Sequence, residues 1–147
     1  MSHEEYEGSD VRSGGYRMRL PSPLSEDAER AMSETIACAI RVHRELGPGF
    51  LELIYRKAMY LELEAAGMSY ESERVVQVSY RGALLGGQRV NLIVESAIVV
   101  ELKAVARFDE VHLAQVMSYL RTTGLRGGLL INFNVPVLRR GLKRIVR

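Results

Sequence analysis

Cysteine is nearly absent. Cys38 stands alone, so the chain closes no internal disulfide and has no Cys-x-x-Cys pair to hold zinc. Histidine is almost as scarce: of His3, His43 and His112, the first lies in a polar N-terminal stretch, and a structural zinc site is not expected. Aspartate occurs three times, as Asp10, Asp27 and Asp109, which leaves few anchors for an aspartate-based cation site. Long apolar runs are missing too, and stretches such as Leu129-Leu130-Ile131 are far too short to span a bilayer. No basic, then apolar, then small-residue leader opens the sequence, so a cytoplasmic protein without a membrane partner is expected. Serine–histidine–acid signatures, phosphate-cradling P-loops and the dinucleotide glycine fingerprint are absent as well.

What is present is one domain's worth of ordinary globular sequence: 147 residues, 47% hydrophobic and 26% charged. A domain of this size buries roughly 70% of its unfolded surface, enough for a core without staples. The net charge of +2 hides an asymmetry. Residues 1–110 hold 13 bases and 18 acids, whereas residues 111–147 hold seven bases and no acid: Arg121, Arg126, Arg139, Arg140, Lys143, Arg144 and Arg147. A basic block of this kind suits a phosphate-bearing partner, although a solvated surface face has the same composition.

Residues 1 to about 24 read as a flexible tail, polar, rich in Gly and Ser and ending in Pro21-Ser22-Pro23, ahead of a single domain over 25–147. Ser25 followed by Glu26, Asp27 and Glu29 marks a helix start, with Met32, Ile36, Ala39, Ile40, His43 and Leu46 as its buried stripe. His43, on that stripe, reads as a packed histidine rather than a ligand. Gly47-Pro48-Gly49 stops this helix. A second one is expected over about 50–66, with Leu51, Ile54, Tyr55, Ala58, Leu61 and Ala65 on one side, closed by Gly67. Strands follow over 75–80, 89–94 and 98–105, with a turn at Arg81-Gly82 and a break at Gly86-Gly87. A third helix is expected over about 110–123, then a buried strand at 127–133 and a short basic strand or turn over 138–146. The order ααβββαβ predicts an α/β (α+β) fold, a mixed central β-sheet flanked by helices.

The densest chemistry lies on the predicted hairpin. Glu95-Ser96-Ala97 as its loop pairs Val94 with Ile98 and sets Asn91 opposite Glu101. One face then carries Asn91, Glu101 and Lys103, and the other carries Val90, Leu92, Val94, Ile98, Val100 and Leu102. A carboxylate and a lysine are costly to bury on so apolar a strand. They form either a plain ion pair at a sheet edge or a place where a carboxylate holds Mg²⁺ and an ammonium steadies a phosphate or an attacking water. On the third helix His112, Gln115 and Tyr119 form one polar stripe opposite Leu113, Val116, Met117 and Leu120. Glu52 and Arg56 stand at i, i+4, the spacing of a surface ion pair.

Gly49-x-x-Glu52-x-x-Tyr55 resembles the signature of the GxxExxY family. So do His43-Arg44-Glu45-Leu46-Gly47-Pro48-Gly49, Val99-Val100-Glu101-Leu102-Lys103-Ala104, His112-x-x-Gln115-x-x-x-Tyr119-Leu120 and Gly128-Leu129-Leu130-Ile131-Asn132-Phe133, together spanning about residues 30–147. The resemblance implies a compact PD-(D/E)XK nuclease-like fold and Mg²⁺-dependent hydrolysis of nucleic-acid phosphodiesters. It assigns Glu101 as a metal ligand, Lys103 as the residue that orients water or stabilises developing charge, and Glu52 as a further acid of the site. Gln115 and Tyr119 would face the DNA or RNA backbone. The family's usual metal-binding aspartate corresponds to Asn91 here, which offers a carbonyl oxygen without charge, so Mg²⁺ binding and catalysis are expected to be weakened or lost. The alternatives are a nucleic-acid binder that does not cut and a structural, self-assembling homo-oligomer that uses the fold for packing.

Overall fold

The computed structural model describes residues 5–7 and 22–147. Eight elements form the domain and a ninth borders it: β1 (Glu5–Glu7), α1 (Glu26–Leu46), α2 (Glu52–Ala65), β2 (Tyr70–Tyr80), β3 (Ala83–Val94), β4 (Ile98–Lys103), α3 (Glu110–Thr123), β5 (Gly127–Asn132) and β6 (Leu142–Val146), with a 3₁₀ turn at Leu138–Gly141 before β6. The sheet order is β1-β6-β5-β4-β3-β2. Only β4 and β5 run parallel, joined by the α3 crossover, so the sheet is mixed, as the element order predicts. Among the described residues no helix is long and apolar enough to cross a membrane. The expected tail lies outside the described residues at 1–4 and 8–21. Its described parts are Glu5–Glu7, paired antiparallel with β6, and Ser22–Leu24, where Leu24 already belongs to the core.

Alternation along the strands divides the interior in two. Leu92, Val94, Ile98, Val100, Leu102, Leu129 and Ile131 face α1 and α2, while Ile93, Val99, Leu130 and Ile145 pack with Val116, Met117 and Leu120 of α3. The approach of α3 is close: a Cβ at Gly128 would lie 2.7 Å from Val116, so glycine there lets the helix settle onto β5.

Local signals place most element ends. Ser25 caps α1 by accepting from the Ala28 amide at 3.1 Å, and Gly47 ends it at φ 68°. Asp109 and His112 form a reciprocal capping box on α3. Arg81 and Gly82, both at positive φ, make the two-residue turn between β2 and β3. His43 is packed, its Nε2 2.7 Å from the Val135 carbonyl.

Three expectations need correction. In α2 the buried residues are Tyr55, Met59 and Leu63; Leu51, Ile54, Leu61 and Ala65 are exposed and Ala58 is half-buried. The rotation follows from Tyr55, whose ring stacks on Phe133 at 4.6 Å and thereby fixes which side of the helix meets the sheet. Gly86-Gly87 does not break the chain. β3 runs through both glycines, which sit beside a bulge at Val78/Ser79, where the register shifts by one residue. Finally, β4 ends at Lys103 and not at Val105, because the Asn132 side chain takes the Val105 amide at 3.0 Å and its carbonyl at 2.9 Å, drawing that residue out of the ladder.

Tyr55 also holds the turn that launches α2: its hydroxyl donates to the Gly47 carbonyl at 2.6 Å and accepts from the Phe50 amide at 3.1 Å. Tyr55→Phe keeps the stacked ring and removes both bonds, which should cost about 1–3 kcal/mol. Urea unfolding checks this: the midpoint should fall with the slope unchanged, and an unaltered midpoint would show that the hydroxyl does not hold the turn.

Candidate functional site

The β3–β4 hairpin has the expected register, with Val94 opposite Ile98, Ile93 opposite Val99 and Leu92 opposite Val100. Regular pairing stops at the next step, where Asn91 faces Glu101. The Asn91 side chain enters the ladder itself, its Oδ1 accepting from the Leu102 amide at 3.1 Å. Its Nδ2 donates to Glu73 Oε1 on β2, also at 3.1 Å. Glu73 sits at φ 54°, and β2 and β3 skip the Glu73–Asn91 pair before resuming at Arg74 opposite Val90. This irregularity breaks the alternation. Val90, expected on the face of Leu92 and Val94, packs instead with Ile93 and Val99 against α3.

Glu101 projects toward α3 and is only 5% exposed. Its Oε1 lies 3.3 Å from Lys103 Nζ, as residues two apart on one strand allow. Its Oε2 is buried with no hydrogen-bond partner. Burial pushes the Glu101 carboxyl up from 4.5 to about 6; Lys103 opposes the shift, and the charges of Glu52 and Glu73 add to it. Glu52, the first residue of α2, is thus within electrostatic reach of the site. The structure pairs Arg56 not with Glu52, as the helical spacing suggests, but with Glu73, whose Oε2 also lies 3.8 Å from Arg89.

Across from the strand, Tyr119 is buried, and its phenol is pushed up to about 12 by burial and by the Glu101 charge, with a hydrogen bond to Gln115 acting the other way. Tyr119 therefore belongs to the apolar cluster of α3 and not to an outer polar stripe, because its ring completes the packing over Val99 and Leu130. Gln115 is half-buried beside it. His112 is committed to the helix cap, where its Nδ1 accepts from the Asp109 amide at 3.0 Å. Gln88 locks α3 over the hairpin by donating to Ser118 Oγ at 2.9 Å.

Glu101, Lys103, Asn91, Glu52, Gln115 and Tyr119, all singled out by sequence, thus converge on one region. Glu73, Arg56 and Arg89 complete it and were missed as a group. Counting back from the Arg81-Gly82 turn without the bulge sets Glu73 opposite Val90; the extra residue, Leu85, brings it to Asn91.

Among the described residues no three His, Cys, Asp or Glu side chains gather as a ready-made metal cluster. Mg²⁺ does not need such a cage, since it keeps several waters and binds through one or two carboxylates plus phosphate. The partnerless Glu101 Oε2 is a hard anionic donor of the right kind, so the residues fit a divalent cation. Asn91 is a poor partner for it, because its oxygen already serves Leu102.

The basic C-terminal block is partly consumed within the fold: Arg144 bonds Glu29 of α1, and Arg126 Nε donates to the Arg147 carbonyl at 3.0 Å. A family model for the PD-(D/E)XK nuclease superfamily matches residues 29–145. No curated protein and no solved structure matches the chain.

The raised carboxyl of Glu101 sets a pH dependence. The folded state binds the proton more tightly than the unfolded chain does, so stability falls as pH rises from 4.5 through about 6. The full cost of about 2 kcal/mol is present above that window. Glu101→Gln removes the charge, so the stability of the variant relative to wild type should climb by this amount between pH 4 and pH 7. Urea unfolding at both pH values measures it, and parallel profiles would show that Glu101 is not desolvated.

Proposed function

The chain belongs to the PD-(D/E)XK nuclease superfamily, and from that premise we propose that it is a divalent-cation-dependent nucleic-acid phosphodiesterase of the GxxExxY branch, slowed by Asn91 at the usual aspartate position. The observation that supports this reading best is the buried Glu101 carboxylate, with one oxygen on Lys103 and the other without a partner. A carboxylate left so is expensive unless something cationic uses it. A bound divalent ion would supply charge neutralisation at the phosphoryl oxygens and lower the pKa of a water.

The remaining work falls to side chains. Lys103, its stem half-buried and its ammonium beside Glu101, orients the attacking water and stabilises the charge that develops on the phosphate. Glu52 adds negative charge within electrostatic reach of Glu101, raising the attraction of the site for a cation. Tyr119, buried against Glu101, shapes the wall of the site, and the half-buried amide of Gln115 is the polar group of α3 available to a DNA or RNA backbone. The residues of the GxxExxY signature serve this arrangement through Tyr55, which ties down the Gly47–Phe50 turn and so fixes where Glu52 begins its helix.

A second reading, a nucleic-acid binder that does not cut, is favoured by the engagement of both ends of the Asn91 amide with protein groups, which removes it as a donor to a cation. The two readings divide on one assay: cleavage of single- and double-stranded DNA and RNA with Mg²⁺ or Mn²⁺, alongside salt-dependent binding. The phosphodiesterase reading expects slow, divalent-dependent cleavage that Lys103→Ala reduces by about 10²-fold or more, with binding retained. Binding without cleavage by wild type would establish the binder. Neither binding nor cleavage would leave the fold to a structural role.

A further inference from the structure

We propose that Glu73 of β2 supplies the second anionic ligand of the cation site, standing in for the carboxylate that position 91 lacks. The proposal rests on the divalent-dependent reading above and names a ligand outside the hairpin on which that reading was built.

The two carboxylates are anchored alike. Glu101 is held through Oε1 by Lys103, leaving Oε2 buried and partnerless. Glu73 is held through Oε1 by Arg56 and by Asn91 Nδ2, leaving Oε2 with Arg89 at 3.8 Å, longer than a hydrogen bond. Each side chain is thus fixed in direction by one oxygen; the other oxygen of Glu101 has no partner, and that of Glu73 has only the long ion pair to Arg89, which a divalent cation would displace. The Glu73 charge also reaches the Glu101 carboxyl and Tyr119, raising both.

The backbone supports the same conclusion. Glu73 adopts φ 54°, a left-handed conformation that a glutamate rarely takes, in the middle of an eleven-residue strand. The conformation interrupts the ladder at the one step where Asn91 turns its side chain into the sheet. Strain of this kind persists where surrounding structure over-determines it, and it clusters at ligand sites. The bulge at Val78/Ser79 is what brings Glu73, and not Ser72, into register with Asn91.

Asparagine at 91 is then a consistent choice. Its amide accepts from Leu102 and donates to Glu73, holding the Glu73 carboxylate beside the ladder step where Asn91 faces Glu101. An aspartate there would accept from Leu102 equally well but would oppose Glu73. The charge has moved one strand over, and the residue that lost it positions the residue that gained it.

Calorimetric titration of Mn²⁺ and Mg²⁺ into nucleic-acid-free protein tests this on wild type, Glu73→Gln, the exchange variant Glu73→Gln/Asn91→Asp, and Glu71→Gln as an exposed control. Wild type should bind Mn²⁺. Glu73→Gln should lose about tenfold or more in affinity, equal to about 1.4 kcal/mol, and the exchange variant should recover most of the loss. Glu71→Gln should match wild type, and melting curves without metal establish that each variant is folded. Equal binding by wild type and Glu73→Gln would overturn the role of Glu73 while leaving the phosphodiesterase reading intact. Binding by the exchange variant alone, with none by wild type, would overturn both.

Discussion

A carboxylate at the centre of a mixed sheet, nearly excluded from solvent and with one oxygen left unsatisfied, is the constraint around which this protein is arranged. Burial alone would make Glu101 untenable as an anion, and its carboxyl is pushed up to about 6 even with Lys103 alongside. A core of Val and Leu at this position would be cheaper. The neighbours consist of groups that manage negative charge, with cations of Lys103, Arg56 and Arg89 interleaved among Glu101, Glu73 and Glu52. In such a cluster most charges are offset by an internal partner, and the Glu101 Oε2 is left without one.

The two sides of the sheet share the labour. The α1/α2 side is a conventional apolar core whose alignment depends on Tyr55 stacked on Phe133. That stack sets the rotation of α2, the Tyr55 hydroxyl sets where α2 begins, and together they fix Glu52 and Arg56 one turn apart at the sheet margin. The α3 side presses a helix close enough to β5 to require glycine at 128, so Tyr119 closes over Glu101 and removes water from one flank. Packing on one face and desolvation on the other are thus two parts of one device: the first aims the charged groups, and the second strengthens their interactions by lowering the local dielectric.

Most of the fold was legible because its signals are local. Ser25 and Gly47 act within one turn of themselves to start and stop α1, and the Glu95–Ala97 loop determines the hairpin register by simple counting. Glu101 and Lys103 stood out for the same reason, as charges on an otherwise apolar strand. What could not be read depends on interactions distant in sequence. The buried stripe of α2 is chosen by Phe133, far along the chain, from among several apolar residues of similar spacing. The end of β4 is decided by the Asn132 side chain on its neighbour. Glu73 was hidden by a one-residue bulge, and because strand pairing has a period of two, a shift of one exchanges which residue meets Asn91.

The same bulge changes how position 91 is to be understood. Taken alone, asparagine in place of an acid reads as damage, because an amide carries no charge to a cation. In the folded protein the amide is a two-ended connector, and both ends are used. Its oxygen replaces a missing ladder acceptor for Leu102, and its nitrogen meets a carboxylate that has no aspartate to repel it. An aspartate at 91 and a glutamate at 73 would place two anions in hydrogen-bond contact, a repulsion that a shared proton or a cation would have to offset. Asparagine at 91 with glutamate at 73 is stable without one, since Arg56 holds the glutamate meanwhile. The pair has to be judged together: if Glu73 serves the site as proposed, its negative charge stands one strand over from position 91, and the amide at 91 is the group that holds it there.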